Sequence, residues 1–249
     1  MIKEERLNFI VEELDKKDIV RVSDITKQLD VTDMTIRRDL QDLESRGALI
    51  RVHGGAKKVP DTSHNELSHS DKVNVNIEAK EQIAQKIAAE IKTNDTVFLG
   101  AGTTIELTHK YLDVDKAKII TNSFYLFNQL KTKPNIELIL IGGSFREITG
   151  CFVGTIANDF IQGIHVQKAF IGVNGITEQG MYTAHESEGL TQQLVFNNAT
   201  TRYIIADHSK FNRKDFYHFF TLEDADYIIT DNQIEDSLVK HYQSIIDII

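Results

Sequence analysis

The chain carries a single cysteine, Cys151, among 249 residues. No disulfide can therefore form within it, and its stability has to come from packing, as suits a reducing cytoplasm. No apolar run approaches the roughly 20 residues needed to cross a bilayer. The opening Met1-Ile2-Lys3-Glu4-Glu5-Arg6 has no apolar centre of the kind a secretory signal requires. A cytoplasmic protein without membrane contact is expected. The nine histidines show no metal-ligand spacing, so neither a metal site nor a cofactor is expected. A Ser-His-Asp arrangement is not apparent, and Cys151 has no obvious base partner in sequence. Excess positive charge is missing too. The net charge of −9 argues against a protein that coats nucleic acid or membranes indiscriminately.

What is present is a normal globular balance, 41% hydrophobic and 26% charged, on a chain long enough for one large or two unequal domains. The charge is uneven. Residues 1–58 hold twelve Lys/Arg against twelve Asp/Glu, so the remainder carries the whole deficit of nine. Residues 34–58 hold six basic side chains against three acidic ones. That surplus falls on the stretch the chain is organised around, Val31-Thr32-Asp33-Met34-Thr35-Ile36-Arg37-Arg38-Asp39-Leu40-Gln41-Asp42-Leu43. On a helix, Ile36, Leu40 and Leu43 fall on one narrow core-facing stripe. Met34, Arg38 and Gln41 point the opposite way, with Thr35 and Arg37 on the flanks. Such groups suit a DNA duplex: arginines for phosphate oxygens or guanine edges, and Gln41 for a base edge. Taken alone, an amphipathic helix with a solvated polar face is the better reading. Its neighbours reverse that.

Leu7, Ile10, Val11 and Leu14 recur at helical spacing, which predicts a helix over residues 2–16. Ile19 to Val22 reads as one short strand. Ser23 then suits an N-cap, with Asp24 in the positive first turn and Ile25 and Leu29 facing inward. Asp30-Val31 makes a turn, and Thr32 or Asp33 caps the next helix. Two short helices joined by a tight turn form a helix-turn-helix. After Gly47, residues 48–52 and 56–59 alternate around His53-Gly54-Gly55, as the arms of a hairpin do. Arg51, His53, Lys57 and Lys58 would lie on it as a wing on the phosphate backbone. Residues 1–58 are thus expected to be a winged helix-turn-helix that binds DNA through Thr32, Met34, Thr35, Arg37, Arg38, Gln41 and the wing.

Residues 59–74, with Pro60 and no sustained apolar period, read as a linker to a second domain over 75–249. Ala79 to Lys92 is expected to be helical, with Ile83, Ile87 and Ile91 on one stripe. Short β-branched runs follow at 96–99, 118–121, 138–141, 169–173, 203–206 and 227–230. Helical stretches separate them near 104–112, 123–131, 154–163 and 186–199. That alternation implies parallel βαβ units and an open α/β sheet covered on both faces, with ligands beyond the carboxyl ends of the strands. The strand ends carry Gly100-Ala101-Gly102-Thr103-Thr104, Thr121-Asn122-Ser123, Gly142-Gly143, Gly172-Val173-Asn174-Gly175 and Asp207-His208-Ser209-Lys210. The first is neither a Walker loop nor a full dinucleotide fingerprint. Each turn singly could be a tight turn or an N-cap. Their repetition on one sheet favours a small phosphorylated ligand.

The pattern from Arg6 through Thr32–Leu40 to Gly47 and His53-Gly54-Gly55-Ala56 resembles the DeoR family of bacterial repressors, and the resemblance extends over the whole chain. It implies that the second domain has a fold like that of ribose-5-phosphate isomerases. It further implies that Gly100 to Thr104 cradle a phosphate, with the Thr121-Asn122-Ser123 turn adding contacts. The segment Asp207-His208-Ser209-Lys210-Phe211 also matches the family pattern, with Lys210 as an anion partner. In the lactose phosphotransferase repressor branch, basic residues before the sheet take part in the response to tagatose 6-phosphate, and Lys72 and Lys80 occupy those places. Ser70-Asp71 departs from that branch, which tends to be more basic there. The resemblance therefore implies a repressor that a sugar phosphate releases from operator DNA, acting as a homo-oligomer (dimer or tetramer) on repeated half-sites.

Two rival readings remain at this level. A sugar-phosphate isomerase or deaminase would need a carboxylate base beside the phosphate. Asp207, Glu186 and Glu188 are the available acids, with His185 and His208 to assist ring opening, yet none sits in a recognisable catalytic segment. A constitutive architectural DNA binder fails on charge, since the larger domain is acidic.

Overall fold

A computed structural model of the chain describes residues 3–17, 19–29, 31–45, 49–52, 54–58 and 66–249. It divides into two compact units, residues 1–65 and 66–249. In the first, α1 (Lys3–Lys17), β1 (Ile19–Arg21), α2 (Val22–Leu29) and α3 (Asp33–Ser45) precede a hairpin of β2 (Leu49–Val52) and β3 (Gly55–Lys58). The three-four spacing does what it predicts. Leu7, Ile10 and Leu14 of α1 pack with Ile25 of α2 and with Ile36, Leu40 and Leu43 of α3, over Val20, Leu49 and Ala56 of the antiparallel sheet β1-β3-β2. Gly54 has φ 80° at the turn, a region open to glycine at no steric cost. The carboxylate of Asp39, 2% exposed, lies within this core and takes the Arg6 Nε–H at 2.8 Å. Val22, expected in the strand, instead opens α2. Ser23 therefore lies inside the first turn, bonded to Asp24 at 3.1 Å, and not at the cap.

The second unit opens with α4 (His69–Val73) and α5 (Ile77–Glu90). Next come β4 (Thr96–Leu99), α6 (Thr103–Glu106) running into a 3-10 turn, β5 (Ala117–Thr121), α7 (Phe124–Leu130) and β6 (Ile136–Leu140). A hairpin of β7 (Ser144–Arg146) and β8 (Cys151–Val153) leads to α8 (Thr155–Gln162) and β9 (Val166–Gly172). After β10 (Gly175–Thr177) and β11 (Gly180–Thr183) come α9 (Glu186–Asn197), β12 (Ala199–Ile205), β13 (Tyr217–Phe220) and β14 (Tyr227–Ile229). α10 (Asp236–Gln243) and β15 (Asp247–Ile248) end the chain. Seven strands form one parallel sheet in the order β15-β14-β12-β9-β4-β5-β6.

Alternation along each strand sends successive side chains to opposite faces, and both faces are covered. Val97, Leu99, Phe170 and Ile205 pack under Ile83 and Ile87 of α5 and Leu126 of α7. Phe98, Ala169, Ile171 and Ile204 pack under Ile161 of α8, Phe196 of α9 and Tyr242 of α10. From β4 the chain builds outward through β5 to β6, and from β9 outward in the other direction through β12. The strand order therefore reverses between β4 and β9, and a crevice forms at such a point beyond the carboxyl ends.

The expected linker is corrected over residues 66–74, which belong to the second unit. Ser68 and Asp71 form a capping box on α4: the Asp71 amide donates to Ser68 Oγ at 3.2 Å and the Ser68 amide to Asp71 Oδ2 at 3.0 Å. Asp71, the departure from the basic pattern, is thus committed to a helix start. The remaining expected linker residues, 59–65, lie outside the described residues.

Candidate functional site

In the first unit, α3 is positioned by Thr32, whose Oγ1 accepts the Thr35 amide at 3.3 Å, and by the Arg6–Asp39 pair. Its inner stripe is buried and its outer face stands in water: Met34 is 61% exposed, and Arg37, Arg38 and Gln41 are exposed. Thr35 is half-buried and its hydroxyl lies 2.9 Å from that of Thr32. Neither Arg37 nor Arg38 has an ion-pair or hydrogen-bond partner among the described residues. Lys57 of β3 is exposed. Arg51 is tethered, its amide donating to Glu44 at 3.2 Å and its guanidinium 4.0 Å from the same carboxylate. His53 and the side chain of Lys58 lie outside the described residues.

In the second unit, a cavity of about 120 Å³ occupies the strand-order reversal. Gly102, Thr103 and Thr104 line it after β4, Gly172 and Asn174 at the end of β9, and Asp207 and Lys210 after β12. Gly102 has φ 153° and nothing within 4 Å of where a Cβ would stand, so its conformation and the open space above it belong to the same feature. The segment before the sheet supplies Leu67, His69, Lys72 and Lys80, and α9 supplies Glu188 and Gln192.

The electrostatics are cationic at one end. Lys80 is 5% exposed, and its ammonium donates to the Lys72 carbonyl. Burial pushes its pKa down, Lys210 and Lys72 push the same way, and Asp207 and Glu106 oppose them. Lys210 is likewise held below its ordinary range, first by burial and then by Lys72 and Arg213, against the pull of Asp207. Lys72 Nζ lies 3.4 Å from Asn174 Oδ1. Asp207 is 4% exposed. Its Oδ1 accepts the Ser209 amide at 2.9 Å and Asn76 Nδ2 at 3.3 Å. Three amines line the cavity against the carboxylates of Asp207 and Glu188, both already engaged, which favours an anion beside the amines. Beside the lysines, His69 Nε2 meets Glu106 Oε2 at 2.6 Å, and its ring stacks on Tyr125 at 3.7 Å. Burial pushes the Glu106 carboxyl up, while His69 and Ser123 pull it back.

Several expected ligand residues lie off the main cavity. Thr121 Oγ1 accepts the Ser123 amide at 3.0 Å, and Ser123 Oγ caps α7 through the Leu126 amide at 3.2 Å. Asn122 Nδ2 donates to the Phe152 carbonyl at 3.1 Å. None of these three lines the main cavity. Gly142 and Gly143 also lie off it; a Cβ on Gly143 would stand 2.6 Å from the Val153 carbonyl, so that glycine serves close packing. A Cβ on Gly175 would stand 2.2 Å from the Arg213 carbonyl, and one on Gly100 3.2 Å from that of Phe170. Sequence reasoning missed His69 and Gln192 as cavity walls, and reached Asn174 only as part of the Gly172-Val173-Asn174-Gly175 turn. Ser68-x-x-Asp71 was the available signal for α4; nothing local marks Gln192.

Residues 6–62 match the family described as the DeoR-like helix-turn-helix domain, and residues 75–232 match the DeoR C terminal sensor domain. A lactose phosphotransferase system repressor of Streptococcus mutans is 38% identical over 242 residues, covering 96% of each chain. One from Lactococcus lactis is 38% identical over 97% of this chain and 96% of its own. One from Staphylococcus aureus is 35% identical over 99% of this chain and 100% of its own. Among solved structures, ribose 5-phosphate isomerase A from Methanocaldococcus jannaschii is similar over 55% of each chain, with TM-score 0.39 and 18% identity. The eIF2B beta chain from Chaetomium thermophilum is similar over 69% of this chain and 54% of its own, with TM-score 0.48 and 14% identity.

Proposed function

The chain belongs to the DeoR family, and from that membership we propose that it is a DNA-binding repressor of a sugar-utilisation operon, released from its operator by a phosphorylated sugar. The observation that carries the effector half is the convergence of Lys72, Lys80 and Lys210 with the Gly102-Thr103-Thr104 turn on one cavity. A phosphate monoester supplies the negative charge that three crowded amines lack, and the turn's amides and hydroxyls supply donors. The relatives' name, lactose phosphotransferase system repressor, supports a lactose operon as the target, and the resemblance to that branch makes tagatose 6-phosphate or a related hexose phosphate the proposed ligand. The DNA half rests on α3, whose exposed Arg37, Arg38 and Gln41 enter a major groove while Arg51 and Lys57 lie along the backbone.

One such unit reads too few base pairs for genomic specificity, so a cytoplasmic homodimer or tetramer on repeated half-sites fits the reading. The ligand acts by binding more tightly to the oligomer arrangement that lets go of DNA. An isomerase or deaminase is not favoured. Asp207 is engaged with Ser209 and Asn76, Glu188 with Arg146 and Thr149, and the exposed Glu186 does not line the cavity. The test is footprinting of the operon's control region with tagatose 6-phosphate, galactose 6-phosphate and fructose 6-phosphate in turn. Protection that one of them abolishes is expected. Protection indifferent to all three, or turnover of any of them, would sink the reading.

A further inference from the structure

Beside the main cavity lies a slot of about 10 Å³ that shares Ala101, Glu188 and Gln192 with it. That volume holds roughly one water-sized group. The Asn122 amide, on a residue 6% exposed, is oriented by its Nδ2–H bond to the Phe152 carbonyl at 3.1 Å. The Gln192 amide is oriented the same way by Nε2 and the Gly172 carbonyl at 3.5 Å. A nitrogen facing a carbonyl fixes which end of each amide is oxygen. Both oxygens, Asn122 Oδ1 and Gln192 Oε1, are then buried without a partner. Only four side-chain atoms among the described residues share that state, and two of them lie on this one slot.

The third polar wall is Glu188. Its Oε1 accepts from Arg146 and Thr149 and lies 3.3 Å from Cys151 Sγ. Its Oε2 has no partner among the described residues. The hydroxyl of Thr191, which also lines the slot, is turned to Asn158 Oδ1 at 2.8 Å. The slot therefore presents the unmet oxygens of Asn122 and Gln192, each amide keeping a second N–H, beside the Glu188 carboxylate. The negative charge of Glu188 disfavours a phosphate there relative to the lysine amines that line the main cavity.

We infer that the slot formed by Asn122, Gln192 and Glu188 is the subsite that reads a hydroxyl group of the bound sugar phosphate and so selects among sugars. The inference rests on the sugar-phosphate reading above. One hydroxyl enters and donates its single proton to Gln192 Oε1, its neighbour along the polyol donates to Asn122 Oδ1, and the Glu188 carboxylate turns the phosphate end away. Leaving buried acceptors unmet is what costs a site most, so an analogue whose hydroxyl points elsewhere is penalised more than the correct sugar is rewarded.

The experiment is calorimetric titration of the full chain with tagatose 6-phosphate, fructose 6-phosphate, galactose 6-phosphate and inorganic phosphate. Gln192→Leu removes the acceptor and keeps the bulk; Asn122→Ser withdraws the other oxygen and serves if the first variant fails to fold. Each variant is expected to bind the preferred hexose phosphate about tenfold more weakly, on the scale of one lost hydrogen bond. Its affinity for inorganic phosphate should stay unchanged and its preference among the three sugars should narrow. Unchanged sugar affinity in both variants would mean the slot holds only water, and equal loss of sugar and inorganic phosphate would mean general distortion; either overturns the subsite. A wild type that binds inorganic phosphate but none of the sugars overturns the sugar-phosphate reading itself.

Discussion

On α3 the cations stand in water, whereas around the cavity of the second unit they are withdrawn, Lys80 buried and Lys72 and Lys210 half-buried. Arg37 and Arg38 are exposed, while Lys80 is 5% exposed and shares its cavity with two further lysines. An exposed guanidinium loses no hydration while it waits for a partner, and its attraction to DNA phosphates is long-ranged and strongly salt-dependent. A buried ammonium has already lost hydration, and its depressed pKa records that loss. Its reward comes only when an anion of the right shape completes the site. The exposed arrangement suits rapid sampling of many duplex sequences; the buried one suits a sensor that must ignore most of the anions around it.

The comparison requires the two units to fail independently. Ile36→Ala removes a fully buried side chain of α3 and should cost about 2–5 kcal/mol, enough to unfold so small a unit. Operator binding should vanish while calorimetry of hexose phosphates stays at wild type. Loss of both activities would break the comparison at its root. Thr103→Val with Lys210→Ala should do the reverse. Two charge-assisted bonds of roughly 1.5–3 kcal/mol each correspond to well over a hundredfold in effector affinity, with the operator shift unaltered. A double variant that keeps wild-type effector affinity would move the phosphate toward Lys72 and Lys80.

Arg38→Ala should weaken specific operator binding by about 1–3 kcal/mol, roughly ten- to hundredfold, without changing the melting temperature. An unaltered footprint would remove Arg38 from the interface. The smallest effect is protonic. Burial depresses Lys80 and Lys210, and a bound dianion stabilises their charged forms, so their pKa values rise on binding. Effector binding should take up a fraction of a proton and weaken as pH climbs through the pKa values of the bound state. Calorimetry in two buffers of different ionisation enthalpy reads this, above about pH 8, where a phosphate monoester with a second pKa near 6 is already dianionic. Zero uptake would mean the lysines are fully charged before the ligand arrives.

The exposed face of α3 was legible because helical periodicity is local: the spacing that buries Ile36, Leu40 and Leu43 also exposes Met34, Arg38 and Gln41. The six central strands were legible from β-branched runs, and the glycine-threonine turn from its place after one of them. Depth was not. Lys80 sits in the first turn of α5, buried and within electrostatic reach of Asp207 and Lys210, a proximity that no window around it contains. Gly143 and Gly175 read as ligand turns, yet they are small because Val153 and Arg213 press on them. The short strands β7, β8, β10, β11 and β13 give too few residues for alternation to register, and β15, at two residues, gives fewer still.

The strand order also sets a clock. The first unit closes its longest sheet pairing between Ile19 and Lys57, so its sheet has been synthesised by residue 58. The central pair of the large sheet joins Val97 to Lys168, and its outer edge waits for Asp247 to reach Tyr227. Non-local parallel pairing is slow to form, because loop closure is incurred before the contacts that reward it. On a ribosome the DNA-reading unit should therefore be folded well before its sensor exists. In refolding from denaturant, amide protection should come early on α1 to α3 and late on β4 and β9. A nascent chain of this design has its helix-turn-helix before it has its sensor.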